Sequence, residues 1–139
     1  MAYWLFKTEP GTWSWTMQVG RGAAGEPWNG VRNHQANNNM KAMKLGDRGF
    51  FYHSVDEKRI VGIVEVIGLW RPDPKDESGK FGMVQVKAVT PFATPVTLAQ
   101  AKADPALAAL PLVTNSRLSV QPVDAASWKR ICKLGGVRA

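Results

Sequence analysis

Trp28 stands in Gly25-Glu26-Pro27-Trp28-Asn29-Gly30-Val31-Arg32-Asn33, among turn formers and polar residues. A loop tryptophan beside an asparagine and an arginine offers a flat wall with donors and acceptors around it. That arrangement suits an unstacked nucleobase whose edge is read by nearby polar groups, and such stacking is worth about 1–3 kcal/mol per base. The plainer alternative is that Trp28 plugs its loop onto the sheet. The following stretch, Asn33 to Asn39, holds four asparagines, a glutamine and a histidine. These are mediocre helix formers, so local stability did not select them. A polar helix start beside Arg32 presents free N–H groups to a phosphate or a carbonyl, or it is simply a solvated face.

Residue patterns for other chemistries are missing. There is no Gly-x-Gly-x-x-Gly, no Walker loop and no Gly-x-Ser-x-Gly elbow. His34 and His53 are the only histidines and Cys132 the only cysteine, and nothing has zinc-ligand spacing or the zinc deaminase signature. No catalytic residue, metal or cofactor is therefore expected. Cys132 shares an apolar helix face with Trp128 and Ile131 and reads as a packed core thiol. His34 reads as a surface or capping residue.

The elements that must position these residues are short. Tyr3–Thr8 is an aromatic strand ending at Pro10-Gly11. Ser14 caps a helix that stops near Gly20, and a loop runs through Gly22, Gly25 and Pro27. Ala36, Met40 and Met43 lie on one face of a helix from Asn33 to Lys44, with Gly46 as its C-cap. Strands follow at 48–53, 60–67 and 83–89, the middle one β-branched and the last alternating. The loop from Arg71 to Gly82 is a surface excursion. Thr97 caps a helix to Lys102, Asp104-Pro105 starts another, and Pro111 ends it. Residues 118–120 make a brief strand, and Asp124 caps a last helix closed by Gly135-Gly136. Of the tryptophans, Trp4 and Trp128 read as core, and Trp70 ends a strand where it could cover a rim. Five or six short strands with irregularly placed helices predict an α+β fold built on a curled mixed sheet or small barrel.

The chain has 139 residues, 45% of them apolar, which suits one globular domain spanning 1–139 and excludes a disordered chain. One cysteine allows no intrachain disulfide. No signal peptide and no membrane-spanning run is visible, so a cytoplasmic monomer away from membranes is expected. The net charge of +7 and a pI of about 9.9 favour a polyanionic partner. Residues 51–80 are close to neutral, whereas 21–48 and 81–139 are basic.

Several segments together resemble the EVE-domain family. Tyr3-Trp4-Leu5-Phe6-Lys7-Thr8-Glu9-Pro10 and Ser14-Trp15 look like its opening. Trp28-Asn29-Gly30-Val31-Arg32-Asn33 with Gln35-Ala36-Asn37-Asn38 looks like its central motif. Met43 to Asp47, Phe50 to Ser54, Val61 to Val66 and Ser116 to Val123 continue the likeness in order. The resemblance implies a PUA-like pseudo-barrel related to ASCH and YTH domains, and a reader of a modified base, such as 5-methylcytosine or 5-hydroxymethylcytosine, in DNA or RNA. It implies a base pocket with Trp28 as the cage wall and Asn29, Lys7, Thr8, Asn33, Tyr52, His53, Ser54, Ser116 and Ser119 around it. Arg32, Lys41, Lys44 and Arg117 would hold phosphates. The family commonly has an acid where Asn29 stands; an amide donates as well as accepts, so the preferred modification could differ here. The alternative implied by ASCH-like relatives is a nucleoside hydrolase using a lysine, a threonine and a glutamate, types supplied by Lys7, Thr8 and Glu9. Adjacent strand residues point to opposite faces, which argues against that triad.

Overall fold

Long apolar strands need cover on both faces, and here both are covered. The computed structural model describes residues 1–138. Strands β1 (Tyr3–Thr8), β2 (Glu26–Trp28), β3 (Arg48–His53), β4 (Arg59–Pro72), β5 (Gly82–Thr97) and β6 (Val120–Val123) form one sheet in the order β2-β5-β4-β3-β1-β6. β1 runs parallel to β3, and every other neighbouring pair is antiparallel. Alternation along β1 sends Trp4 and Phe6 into one apolar cluster and Leu5 into the other. On the Leu5 side, Phe50 and Ile63 pack with Trp128 and Ile131 of α5 (Ala125–Gly135). Phe50 stacks on Trp128 with ring centres 4.0 Å apart, and Tyr3 stacks on the same indole at 4.4 Å. On the Phe6 side, Trp28, Phe51 and Val64 pack with Ala36 and Met40 of α2 (His34–Ala42).

Hydrogen bonds do not close the sheet; β2 and β6 are its edges. It curls until the edges meet through side chains. Trp28 of β2 lies edge-on to Phe6 of β1, ring centres 5.2 Å apart, although these strands hold the first and fifth places in the order. Four register shifts along β4 and β5 accompany the curl, since each bulge sharpens local twist. The result is the mixed pseudo-barrel expected, with an open seam.

The asparagine-rich segment spans that seam. Asn39 Nδ2 donates to Val120 O of β6 at 2.7 Å. Asn37 Nδ2 donates to Lys80 O, while its Oδ1 accepts from Trp70 Nε1 and Gly82 N at 2.8 and 3.0 Å. Asn37 and Asn39 are buried, so a solvated helix face is the wrong description. Their amides satisfy edge and turn groups that a curled, unclosed sheet leaves without ladder partners.

Ser14 caps α1 (Trp15–Gly20), Thr97 caps α3 (Leu98–Ala103) with a full capping box, Asp104 caps a 3-10 turn at 105–107, and Asp124 caps α5, all as the sequence indicates. Other boundaries differ. Glu26–Trp28 is a strand where a loop was expected, because β5 offers it a partner. β4 and β5 run well past their β-branched centres because each supports the other. The helix from Asn33 ends at Ala42 with Met43 as its cap, and Gly46 (φ +88°) instead turns the chain into β3. Pro111 begins α4 (Pro111–Thr114) instead of ending a helix, its missing N–H being harmless in a first turn. The last strand starts at Val120, two residues later than read, where pairing with Phe6 begins. Trp70 sits within β4, its indole bound to Asn37 and lying against Gly82. Cys132 is a buried thiol, and burial pushes its pKa up to about 11. Among the described residues no helix is long and apolar enough to cross a membrane.

Candidate functional site

A cavity of about 370 Å³ opens at the seam, within the usual range for small-ligand sites. One side comes from the end of β1, with Lys7 and Thr8, and from Ser119 just before β6. The opposite side is β2, with Glu26, Pro27 and Trp28, and the loop from Asn29 to Asn33. Thr12 and Trp13, in the turn after β1, and Lys75, in the loop between β4 and β5, complete the lining. The cavity covers the end of β1, so it takes residues from both strand faces. Lys7 and Thr8 still face apart: Lys7 Nζ turns to Ser116 O beside Tyr52 of the α5-side cluster, and Thr8 Oγ1 turns to the carbonyl of Trp13, whose ring packs on the other cluster.

Trp28 is not a free loop residue. It is 7% exposed, and besides Phe6 its ring meets Phe51 edge-on, 5.6 Å between centres. It is core and cavity wall together. Trp13 is partly buried, its Nε1 donating to Gln18 Oε1 at 2.9 Å. The loop after Trp28 is held from beneath by Asp73, 1% exposed. Asp73 accepts from Gly30 N, Arg32 Nη1 and Lys75 N at 2.9, 3.1 and 2.9 Å. Gly30 has φ +79°, a left-handed conformation that costs a glycine little. Burial by itself would raise the Asp73 pKa. The donors from Gly30, Lys75 and Arg32 outweigh it and hold the carboxyl below its usual value.

The cavity is electropositive. Lys7 Nζ donates to Ser116 O at 2.9 Å and lies 5.9 Å from the centre of the Tyr52 ring, and burial lowers its pKa. Glu26 pairs with Arg21 at 3.1 Å, and Arg32 pairs with Asp73. Among the described residues neither Lys7 nor Lys75 forms an ion pair. Two uncompensated ammonium groups around an aromatic slot favour an anionic or acceptor-rich ligand. No cluster of His, Cys, Asp and Glu among the described residues could hold a metal ion.

Of the residues expected around a base, Trp28, Asn29, Lys7, Thr8, Asn33 and Ser119 line the cavity, Asn33 also capping α2 through a bond from Ala36 N. Four expected residues lie off the lining. Tyr52 points into the α5-side core, and burial raises its pKa. His53 is buried: Nε2 accepts from Trp15 N at 3.0 Å, and Nδ1 bonds Glu57 Oε1 at 2.9 Å. Ser54 N donates to Thr8 O, and Ser116 contributes only its carbonyl, to Lys7. Of the residues expected to hold phosphate, only Arg32 reaches the cavity. Lys41 sits over the Trp70 ring at 4.8 Å, Lys44 N donates to Asp47 Oδ2, and Arg117 is exposed. All three lie outside the lining. Trp13 and Lys75 went unnoticed. Trp13, in a polar turn, carried the same signal as Trp28, whereas nothing local ties Lys75 to this cavity.

A curled, unclosed six-stranded sheet with helices on both faces and a cavity at its seam places the chain among the PUA-like α+β folds. Residues 2–134 match the family model described as EVE domain, and the chain belongs to that family. Human thymocyte nuclear protein 1 is 34% identical over 119 residues, covering 69% of this chain and 53% of that protein. The chain thus spans about half the length of that curated relative. An NMR structure of a protein from Rhodopseudomonas palustris is 59% identical with a TM-score of 0.92, covering 98% of this chain and 94% of the other. Human THYN1 in complex with DNA containing 5-methylcytosine superimposes with a TM-score of 0.89 at 29% identity, over 100% of both chains.

Proposed function

We propose that this protein is a reader that takes one modified base of a nucleic-acid strand, a methylated or hydroxymethylated cytosine, into the seam cavity. The observation that carries this reading is the end-to-end correspondence with human THYN1 bound to 5-methylcytosine DNA. The cavity supports it with two indoles and unpaired ammonium groups at one place. In this reading Trp28 is the fixed stacking wall and Trp13 the second. Asn29 and Thr8 read the base edge, Lys7 meets an acceptor on the base, and Lys75 and Arg32 meet flanking phosphates. The base must leave its stack to enter, and a methyl group burying itself in the slot adds about 0.8 kcal/mol. Hydrolysis by Lys7, Thr8 and Glu9 is not adopted. Thr8 Oγ1 donates to Trp13 O at 2.9 Å, and Glu9 is exposed and outside the lining.

Fluorescence titration with oligonucleotides carrying cytosine, 5-methylcytosine, 5-hydroxymethylcytosine or N6-methyladenine at one position tests this reading. Wild type and Asn29→Ala are compared, with mass spectrometry of the mixtures to detect turnover. Tighter binding of one modified cytosine, weakened in Asn29→Ala and without turnover, is expected. Equal affinity for all four strands would overturn the reader, and release of a base or conversion of a nucleoside would install the hydrolase.

A further inference from the structure

The two indole walls are held differently. Trp28 is fixed by core rings, whereas Trp13 stands in the turn before α1, and its ring nitrogen makes a single bond, to Gln18. Gln18 is 0% exposed, a polar side chain completely buried within a helix of six residues. Its Oε1 accepts from Trp13 Nε1 at 2.9 Å, and its Nε2 donates to Val86 O on β5 at 3.0 Å. An amide has one accepting and one donating end, so these two bonds fix its orientation and bridge the sheet to the indole edge. The helix carrying it is itself docked: Trp15 N donates to His53 Nε2, and the Trp15 ring lies on Gly62, where a Cβ would meet ring atoms at about 2.5 Å.

We infer that Gln18 is a positioning residue for the cavity: by bridging Val86 to Trp13 it holds the second indole in place and sets the fit of the slot to a modified base. The inference rests on the reader function proposed above. An indole tied through its N–H edge keeps its face towards the cavity. Released, it samples other rotamers, and the slot loses the preorganisation that affinity requires. Neither Gln18 nor Val86 lines the cavity, so the effect passes through Trp13.

The test is a double-mutant cycle of Gln18→Met, which keeps the volume and removes both bonds, with Trp13→Phe, which keeps a ring and removes its N–H. Each protein is titrated with strands carrying the preferred modified base and its unmodified counterpart, at temperatures where unfolding scans show it fully folded. Gln18→Met should weaken binding of the modified strand about tenfold, the unmodified strand little, and should add almost nothing in the Trp13→Phe background. The indole N–H resonance of Trp13 should also shift and lose exchange protection in Gln18→Met. A wild type that prefers the modified base while Gln18→Met keeps the whole preference, or effects that add across the cycle, would overturn the positioning role. A wild type without any preference would overturn the reader itself and this inference with it.

Discussion

Lys7 brings an ammonium into a half-buried site with one carbonyl as its hydrogen-bond partner. Burial lowers its pKa, so between the folded value and 10.5 the unfolded chain binds more protons than the folded one. The penalty is complete below that window and is relieved as the pH rises through it. Lys7→Met should therefore raise the melting temperature at neutral pH, by an amount that shrinks towards pH 10.5, while weakening oligonucleotide binding about tenfold; thermal scans and titration read the two effects. Asp73 has the opposite sign. Burial acts against its charge, but its three donors win and its pKa is lowered, so its stabilisation is present above about 3.8 and lost as the pH falls through the lower folded value. Asp73→Asn should cost about 1–3 kcal/mol at pH 7. Its melting temperature should approach that of wild type under acid conditions, as scans across pH would show.

At the scale of elements, α2 is a brace across the seam. Asn37→Ala would strip partners from Trp70 Nε1, Gly82 N and Lys80 O at once. Denaturant unfolding should show a loss of about 3 kcal/mol or somewhat more, since buried unsatisfied groups cost about 1–3 each. The exposed neighbour Asn38→Ala should change stability by less than about 0.5 kcal/mol. β2 behaves similarly. It is three residues long, and Trp28 anchors it by filling the space between Phe6 and Phe51. Trp28→Ala should cost about 3–5 kcal/mol in the same assay, so lost binding in that variant would report unfolding as much as lost stacking.

For the whole molecule, the excess positive charge matters through its placement. Arg32 is partly neutralised by Asp73 and Lys41 is engaged with Trp70, which leaves Lys75 as an unpaired cation on the loop beside the cavity. If it meets a phosphate, Lys75→Ala should weaken modified and unmodified strands alike. It should also make the slope of log affinity against log salt shallower by about 0.7 for single strands. Unequal losses would mean that Lys75 reads the base instead.

The residues determined by themselves whatever is local. Alternation of Trp4, Leu5 and Phe6, the caps at Ser14, Thr97, Asp104 and Asp124, and the apolar face of α5 were legible because each depends on neighbours within a few positions. The motif order of the family was legible too. What only the tertiary structure decided is the seam. Whether β2 meets β1 depends on curl accumulated across five strands, and no short window of sequence records it. That curl buries Trp28, turns asparagines of an apparently solvated helix into braces, and brings Asp73 beneath Gly30 from 43 positions away. Tyr52 and His53 were expected around the base because they fall in a segment of the family resemblance, but the structure puts Tyr52 in the α5-side core and bonds His53 to Trp15. Contacts between distant segments are chosen by packing of the whole chain, and for that reason the cavity became visible only once the sheet had curled.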